Sequence, residues 1–336
     1  MKRSMIMLGL FALAAAVLVL TPFWGMKTIS PGDALGWHAG ASGSIDETEI
    51  FWRLRVPRVA LAFIAGVALA IGGMIFQALF RNELATPFTL GVSSGAALGA
   101  TLYLRLGIAF SLGWFDGLTL AAFVGALAAV GLVSALARAR PDASGGTMLL
   151  AGVAVNFTLS SMLLFVHYTS DAAQSFNILR WLMGRLDVVG PESVYLLLPF
   201  VVLGGGLGLL LHRDLNLMAV GEEFAVSRGV DAQRTRAMLF FATSLMVGGV
   251  VSVCGPIGFV GMMAPHICRL LVGADHRWLG PATLMFGGSF LALSDLLARS
   301  VVAPSEIPVG VVTALLGGPF FLWLLVRRRG AGGSRD

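Results

Sequence analysis

The chain has 336 residues; 57% are hydrophobic, 12% are charged, and the formal net charge is +5. Soluble globular domains carry about 25% charged residues, so the composition excludes one. The basic residues are spread over many short loops, which argues against a nucleic-acid-binding patch.

Apolar runs of roughly 18–22 residues recur along the whole length, the mark of an all-α polytopic membrane protein. In lipid every backbone group must bond internally, so such runs can only be helices. The 43 glycines permit close helix–helix approach. Cys254 and Cys268 are too few for a disulfide framework and read as buried free thiols. The only lysines are Lys2 and Lys27, neither in a Gly-rich loop, so a phosphate-cradling GxxxxGK[ST] loop is absent. If nucleotide powers this protein, another chain binds it.

Residues 1–24 open with Lys2-Arg3 and a long apolar run that no small-x-small cleavage site follows, which predicts an uncleaved first helix with a cytoplasmic N-terminus. A polar segment over 25–52 lies outside. Arg55-Val-Pro-Arg58 opens a second helix over about 58–80, with Pro57 suited to the first turn. Residues 81–87 form an inside turn. Helices follow over 88–104, 118–136 and 147–167. The outside segment 170–192 holds a short helix near 178–183. A sixth span covers 195–211.

Residues 212–236 then interrupt the lipid-soluble pattern: eight of these 25 residues are charged. Glu222 and Glu223 follow Gly221, where acids suit a helix N-terminus. Arg228 falls in a last turn, Gly229 fits a left-handed cap, and Asp231 can N-cap the next helix. A charged knob beside a membrane reads either as a docking surface for a soluble partner or as a solvated connector. Spans over about 238–253, a short one ending near Arg269, 281–297 and 308–326 complete ten.

With both termini inside, fifteen of the 23 basic residues fall on the inner side, the bias expected of cytoplasmic loops. These include Arg138, Arg140, Arg213, Arg327, Arg328, Arg329 and Arg335. The anomaly is an outer cluster, Arg53, Arg55 and Arg58. The two halves are weakly similar, each with a long helix, a Gly/Pro-rich re-entry and a short helix, as inverted repeats would give.

RVPRVALAFIAGVALAIGGMIFQALFRNELATPFTLGVSSGAALGA, LNLMAVGEEFAVSRGV, GPIGFVGMMAPHICRLLVGADHR and LARSVVAPSEIPVGVVTALLGGPFFLWLL occur in that order. Together they resemble the permease subunits that import ferric siderophores, haem and vitamin B12, the membrane halves of type II ABC importers of the BtuC-like fold. The resemblance covers about residues 53–326 of one transmembrane domain, 1–336. It implies a homodimer in the bacterial cytoplasmic membrane, two cytoplasmic ATPase subunits that use ATP-Mg, a binding protein outside, and no cofactor held by this chain. It implies that Gly221, Glu222, Ala225, Arg228 and Gly229 seat in a groove of the ATPase. It also implies that Arg55, Arg58 and Arg299 receive acidic residues of the binding protein. Headgroup anchoring, or an Asp295–Arg299 pair, would explain these arginines without a partner. The pathway implied runs along the dimer axis, where the fifth span offers Asn156, Thr158, Ser160, Ser161 and Met162. Packing between helices also uses such small polar residues.

An ion-coupled secondary transporter is the rival reading, but it would carry charged residues deep in its helices. An intramembrane hydrolase would need a nucleophile–base pair that Ser93, Ser94 and His167 do not supply by spacing. Within the importer reading, an iron chelate (siderophore or haem) is favoured over cobalamin.

Overall fold

The computed structural model describes residues 2–25, 27–35, 47–107, 109–112, 115–139, 145–302 and 304–331. Arg140 and Arg335, assigned to the inner side from sequence, lie outside the described residues, as do the side chains of Arg327, Arg328 and Arg329. Helix α1 (Lys2–Leu20) ends in a 3-10 turn, Thr21–Phe23. A π turn, Ile50–Arg55, runs straight into α2 (Val56–Phe80), with Pro57 in the first turn of α2.

Helix α2 is the axis of the fold. It is apolar on every side, so it can only be enclosed, and Leu61, Ile71, Met74, Ile75 and Phe76 are fully buried. It packs against α7 (Glu192–Leu210), α10 (Ala232–Cys254), α11 (Val260–Val272) and α12 (His276–Ala298). Glycine sets the spacing. A Cβ on Gly73 would lie 1.6 Å from the Gly261 carbonyl oxygen, and one on Gly66 would lie 2.4 Å from that of Gly287. A second seam joins α3 (Val92–Leu106) to α4 (Gly117–Arg138), where Gly95 and Gly125 each face the other's carbonyl. Small residues at such spacing let backbones touch, which is how helices associate where lipid supplies no hydrophobic drive.

The similarity between halves has a structural counterpart. The long helices α2 and α10 are each followed by an irregular re-entry and a short helix, α3 or α11. Each short helix lies against the long helix of the other half. The first re-entry corrects the expected continuous helix over 88–104. Arg81 ends α2 in the left-handed region (φ 48°), a 3-10 turn Pro87–Leu90 follows, and Gly91 (φ 85°) pivots the chain into α3. In the second, positive φ falls at Gly255 and Phe259.

A two-stranded ribbon, β1 (Ser111–Leu112) with β2 (Phe115–Asp116), leads into α4. Helix α5 (Gly145–Tyr168) and the short outer α6 (Ala172–Leu182) follow, and α13 (Val309–Ala331) closes the chain. Among the described residues seven helices are long and apolar enough to cross a membrane. Each of the ten predicted spans overlaps a helix, the third only from Val92 onward; α3, at fifteen residues, and α11, at thirteen, are among the shorter ones. Cys254 and Cys268 are buried and free.

Replacing Gly73 with Val forces the α2–α11 seam apart and costs upwards of ~3 kcal/mol, the upper end for overpacking a tight core. Gly206, with nothing within 4 Å of a built Cβ, tolerates Ala. Thermal melting in detergent should show a large fall for the first variant and none for the second; equal melting of both would refute the close contact.

Candidate functional site

The charged stretch 212–236 folds as a hairpin of two short helices, α8 (His212–Val220) and α9 (Glu222–Ser227). Gly221 closes one and opens the other. Its N–H donates to the Leu217 carbonyl at 3.2 Å, and its own carbonyl accepts from Ala225 at 3.0 Å. Helix α9 ends in a Schellman motif: Val230 N–H reaches the Ala225 carbonyl at 3.0 Å, Gly229 N–H reaches that of Val226 at 2.9 Å, and Gly229 takes φ 86°. Asp231 then caps α10, its carboxylate accepting from the Arg234 N–H at 3.0 Å.

The five hairpin residues named from sequence come together here with different tasks. Ala225 is fully buried and anchors α9. Glu222 pairs with Arg236 of α10 at 2.5 Å. Arg228 is exposed and lies 5.3 Å over the Phe224 ring. Around it the outer face exposes Val220, Phe224 and Val226. This apolar patch escaped the sequence reading, which followed charge; large apolar side chains inside a charged stretch were the available signal.

Beneath the patch, Leu215 and Met218 anchor α8. Asn216 ties it to α12: its amide donates to Asp275 at 2.8 Å, and its oxygen accepts from the His276 backbone N–H at 2.9 Å. Asp275 is itself the N-cap of α12, accepting from Arg277 N–H at 3.0 Å. The Asn216 hydrogen bond first, and the Arg277 N–H second, hold its carboxyl below the usual carboxylate range.

At the other end of α12 the arginines expected to meet a binding protein, Arg58 and Arg299, are engaged within the chain, and the alternative Asp295–Arg299 pair is present. Arg58 forks onto Asp295 through Nε and Nη2 (3.0 and 2.9 Å) and reaches Glu306 through Nη1 at 2.9 Å. Arg299 donates to the Thr21 carbonyl at 2.9 Å and stands 3.7 Å from Asp295. Arg55 turns the opposite way, onto the carbonyls of Pro22, Phe23 and Lys27. Arg55 and Arg58 therefore do not share a face, because the π turn ahead of α2 winds by i→i+5 bonds and breaks the three-residue register. Arg53 pairs with Glu49 at 3.0 Å on the exposed surface.

A cleft of about 510 Å³ opens between α3, α5 and α6. Thr89, Ser93, Ser94, Asn156 and Ser160 supply its polar lining, and none of the described residues lining it is charged. Asn156 and Ser160 are four apart and share one face of α5. The other three pathway candidates face elsewhere. Thr158 and Ser161 are exposed and bond back to the carbonyls of Ala154 and Phe157, both at 2.9 Å, and Met162 is exposed.

Residues 12–327 match the FecCD transport family. The chain is 37% identical over 324 residues to the hemin transport system permease protein of Yersinia pestis, covering 96% of this chain and 92% of that protein. It is 37% identical over 324 residues to a vitamin B12 import system permease protein of Klebsiella pneumoniae, covering 96% and 94%. A solved structure described as a metal-chelate type ABC transporter in an inward-facing conformation superposes with TM-score 0.84 at 30% identity, over 96% of this chain and 99% of that one.

Removing one partner of the outer cluster leaves a buried charge under-compensated. Arg58→Gln takes the bidentate partner from Asp295, leaves it the longer Arg299 contact at 3.7 Å, and lowers stability by ~3 kcal/mol. Glu306→Gln, at the more exposed arm, lowers it by less than ~1 kcal/mol. Unfolding in detergent should rank the two variants in that order; the reverse order would reject the assignment of Asp295 as the principal partner.

Proposed function

The chain belongs to the FecCD transport family and is the membrane-spanning permease subunit of an ABC transporter whose ATPase is a separate subunit, and from that premise we propose an importer of an iron chelate, siderophore or haem, with cobalamin as the second choice. The observation that carries this reading is the inner hairpin: a rigid knob with an exposed apolar and charged face, on a chain whose only lysines lie outside any Gly-rich loop. It works as a homodimer of ten-span subunits in the bacterial cytoplasmic membrane, both termini in the cytoplasm. Two ATPases grip the knob from inside, and a binding protein loads cargo from outside. ATP-Mg belongs to the ATPases, and this chain holds no cofactor. Family resemblance supports each of these assignments, as does the inner bias of the basic residues.

In this mechanism ATP-driven closure of the motors displaces α8 and α9 as one body. Asn216 passes the displacement to the N-terminus of α12, a helix of 23 residues. At 1.5 Å per residue it spans about 35 Å, enough to reach the outer cluster at Asp295. The motor thereby biases two global states of the conduit, and access alternates between the two sides. Cargo passes the neutral cleft, with Asn156 and Ser160 as the α5 contacts; Thr158, Ser161 and Met162 face the subunit partner across the dimer. Docking of the binding protein at Arg55, Arg58 and Arg299 requires an exchange of partners, and Glu306, the most exposed carboxylate of the cluster, leaves first. The ion-coupled alternative has one foothold, the buried Asp295, and Arg58 and Arg299 lock it.

Two measurements test this reading. Phe224→Ala combined with Arg228→Ala removes the centre of the knob and should cut co-purification of the ATPase at least tenfold, with the permease still folded. Full recovery of the ATPase with that variant would remove the docking role. Asn216→Ala should leave assembly intact but lower solute moved per ATP several-fold in proteoliposomes; an unchanged ratio would show that α12 does not carry the motion. Uptake driven by an ion gradient without any ATPase would overturn the importer reading as a whole.

A further inference from the structure

A second cavity, of about 410 Å³, lies beside the hairpin, between the end of α4, the start of α5, Glu222 of α9 and the first turns of α10. Its polar side holds Arg138, Gln233, Arg236 and Glu222. Its apolar side includes Met148, Phe240 and Phe241. Arg138, in the last turn of α4, is exposed and makes no ion pair among the described residues. Arg236 pairs with Glu222 through Nη2, and its Nε is buried without a hydrogen-bond partner. Among the described residues that line the cavity, two arginines and one glutamate leave one surplus positive charge.

We propose that this cavity binds the phosphate headgroup of an anionic phospholipid of the inner leaflet. A phosphodiester carries one negative charge, which matches the surplus. Guanidinium groups from two helices can fork onto its oxygens, and the orphaned Nε of Arg236 supplies a donor. The Met148, Phe240 and Phe241 wall suits the glycerol and upper acyl chain, which a free phosphate would leave uncovered. Basic pockets between spans on the cytoplasmic side recognise anionic headgroups in this manner. The inference rests on the proposed orientation, which puts the hairpin in the cytoplasm. Because Arg236 also holds Glu222, a bound headgroup competes with α9 for that arginine, and lipid composition adjusts the seating of the hairpin.

Native mass spectrometry of the purified full-length chain, in micelles containing equimolar phosphatidylglycerol and phosphatidylcholine, tests this without any ATPase. Its outcome is therefore independent of whether the importer reading holds. One phosphatidylglycerol should be retained per chain and no phosphatidylcholine. Arg138→Gln should lower retention about fivefold, the equivalent of ~1 kcal/mol per basic side chain near a membrane surface. Arg213→Gln, an exposed inner arginine away from the cavity, should change nothing. Equal retention of both lipids would overturn the proposal. So would wild-type retention by Arg138→Gln, or an equal loss with Arg213→Gln, which would signify only diffuse surface charge. Displacement of the lipid by millimolar inorganic phosphate would reassign the cavity to a soluble anion.

Discussion

Between Gly73 and Gly261 two backbones meet with no space for a single methyl group. That contact, and its counterpart between Gly66 and Gly287, set the positions of α11 and α12 against α2. In water, burial of α2 would be driven by the solvent; in a bilayer the surrounding chains are as apolar as its own side chains. Association then depends on close packing, and close packing depends on the absence of Cβ atoms at a few points. The α3–α4 seam at Gly95 and Gly125 repeats the device within the first half. The crosswise docking of α3 on α10 and α11 on α2 joins the two halves.

A fold held this way places its charges at the ends of the helices. Helix α12 illustrates the consequence. Its N-terminus holds Asp275 and the Asn216 junction, its C-terminal end holds Asp295, and between them it is locked to α2 through Gly287. A polar fastening at each end and a glycine seam in the middle make α12 a lever rather than a spacer. The Arg58–Asp295 fork and the Arg299–Thr21 bond also tie α1 and α2 to its outer end. Motion at the hairpin therefore cannot be absorbed locally without breaking charge-assisted hydrogen bonds.

The helices and the hairpin were legible from sequence because their signals are local. Hydropathy runs, Pro57 in a first turn, Gly229 as a left-handed cap and Asp231 as an N-cap are each decided within a few residues, and the structure places each of them so. What could not be read is contact across the chain. Arg58 meets Asp295 from 237 residues away, and Glu306 from 248. No periodicity encodes such a pair; only the i,i+4 Asp295–Arg299 contact was within reach of the sequence. Backbone strain was equally hidden. Phe259 holds φ 67° where a glycine would be expected. Its ring is held 6.5 Å from Phe321, and Gly317 of α13 has given up its side chain to admit it. Tertiary packing at Gly317 overrides the local preference at Phe259, and only the assembled fold displays that.

The cleft shows the same logic applied to cargo. A charge inside the bilayer costs a few kcal/mol unless it is paired, and a paired charge becomes a fixed structural bond, as at Asp295. Hydroxyls avoid both outcomes by returning their proton to their own helix. Ser94 donates to the Gly91 carbonyl at 3.2 Å on the cleft wall, as Thr158 and Ser161 do on the far face of α5. A hydroxyl already satisfied in this way tolerates water and cargo alike but gains little from either. Such a wall lets a bulky solute slide without a deep binding minimum, which a conduit needs, since a site that holds its cargo tightly cannot release it. Weak holding also means weak discrimination. On the passage proposed above, the choice of solute is made before the cleft is reached, and the permease contributes passage and the coupling of that passage to the motor.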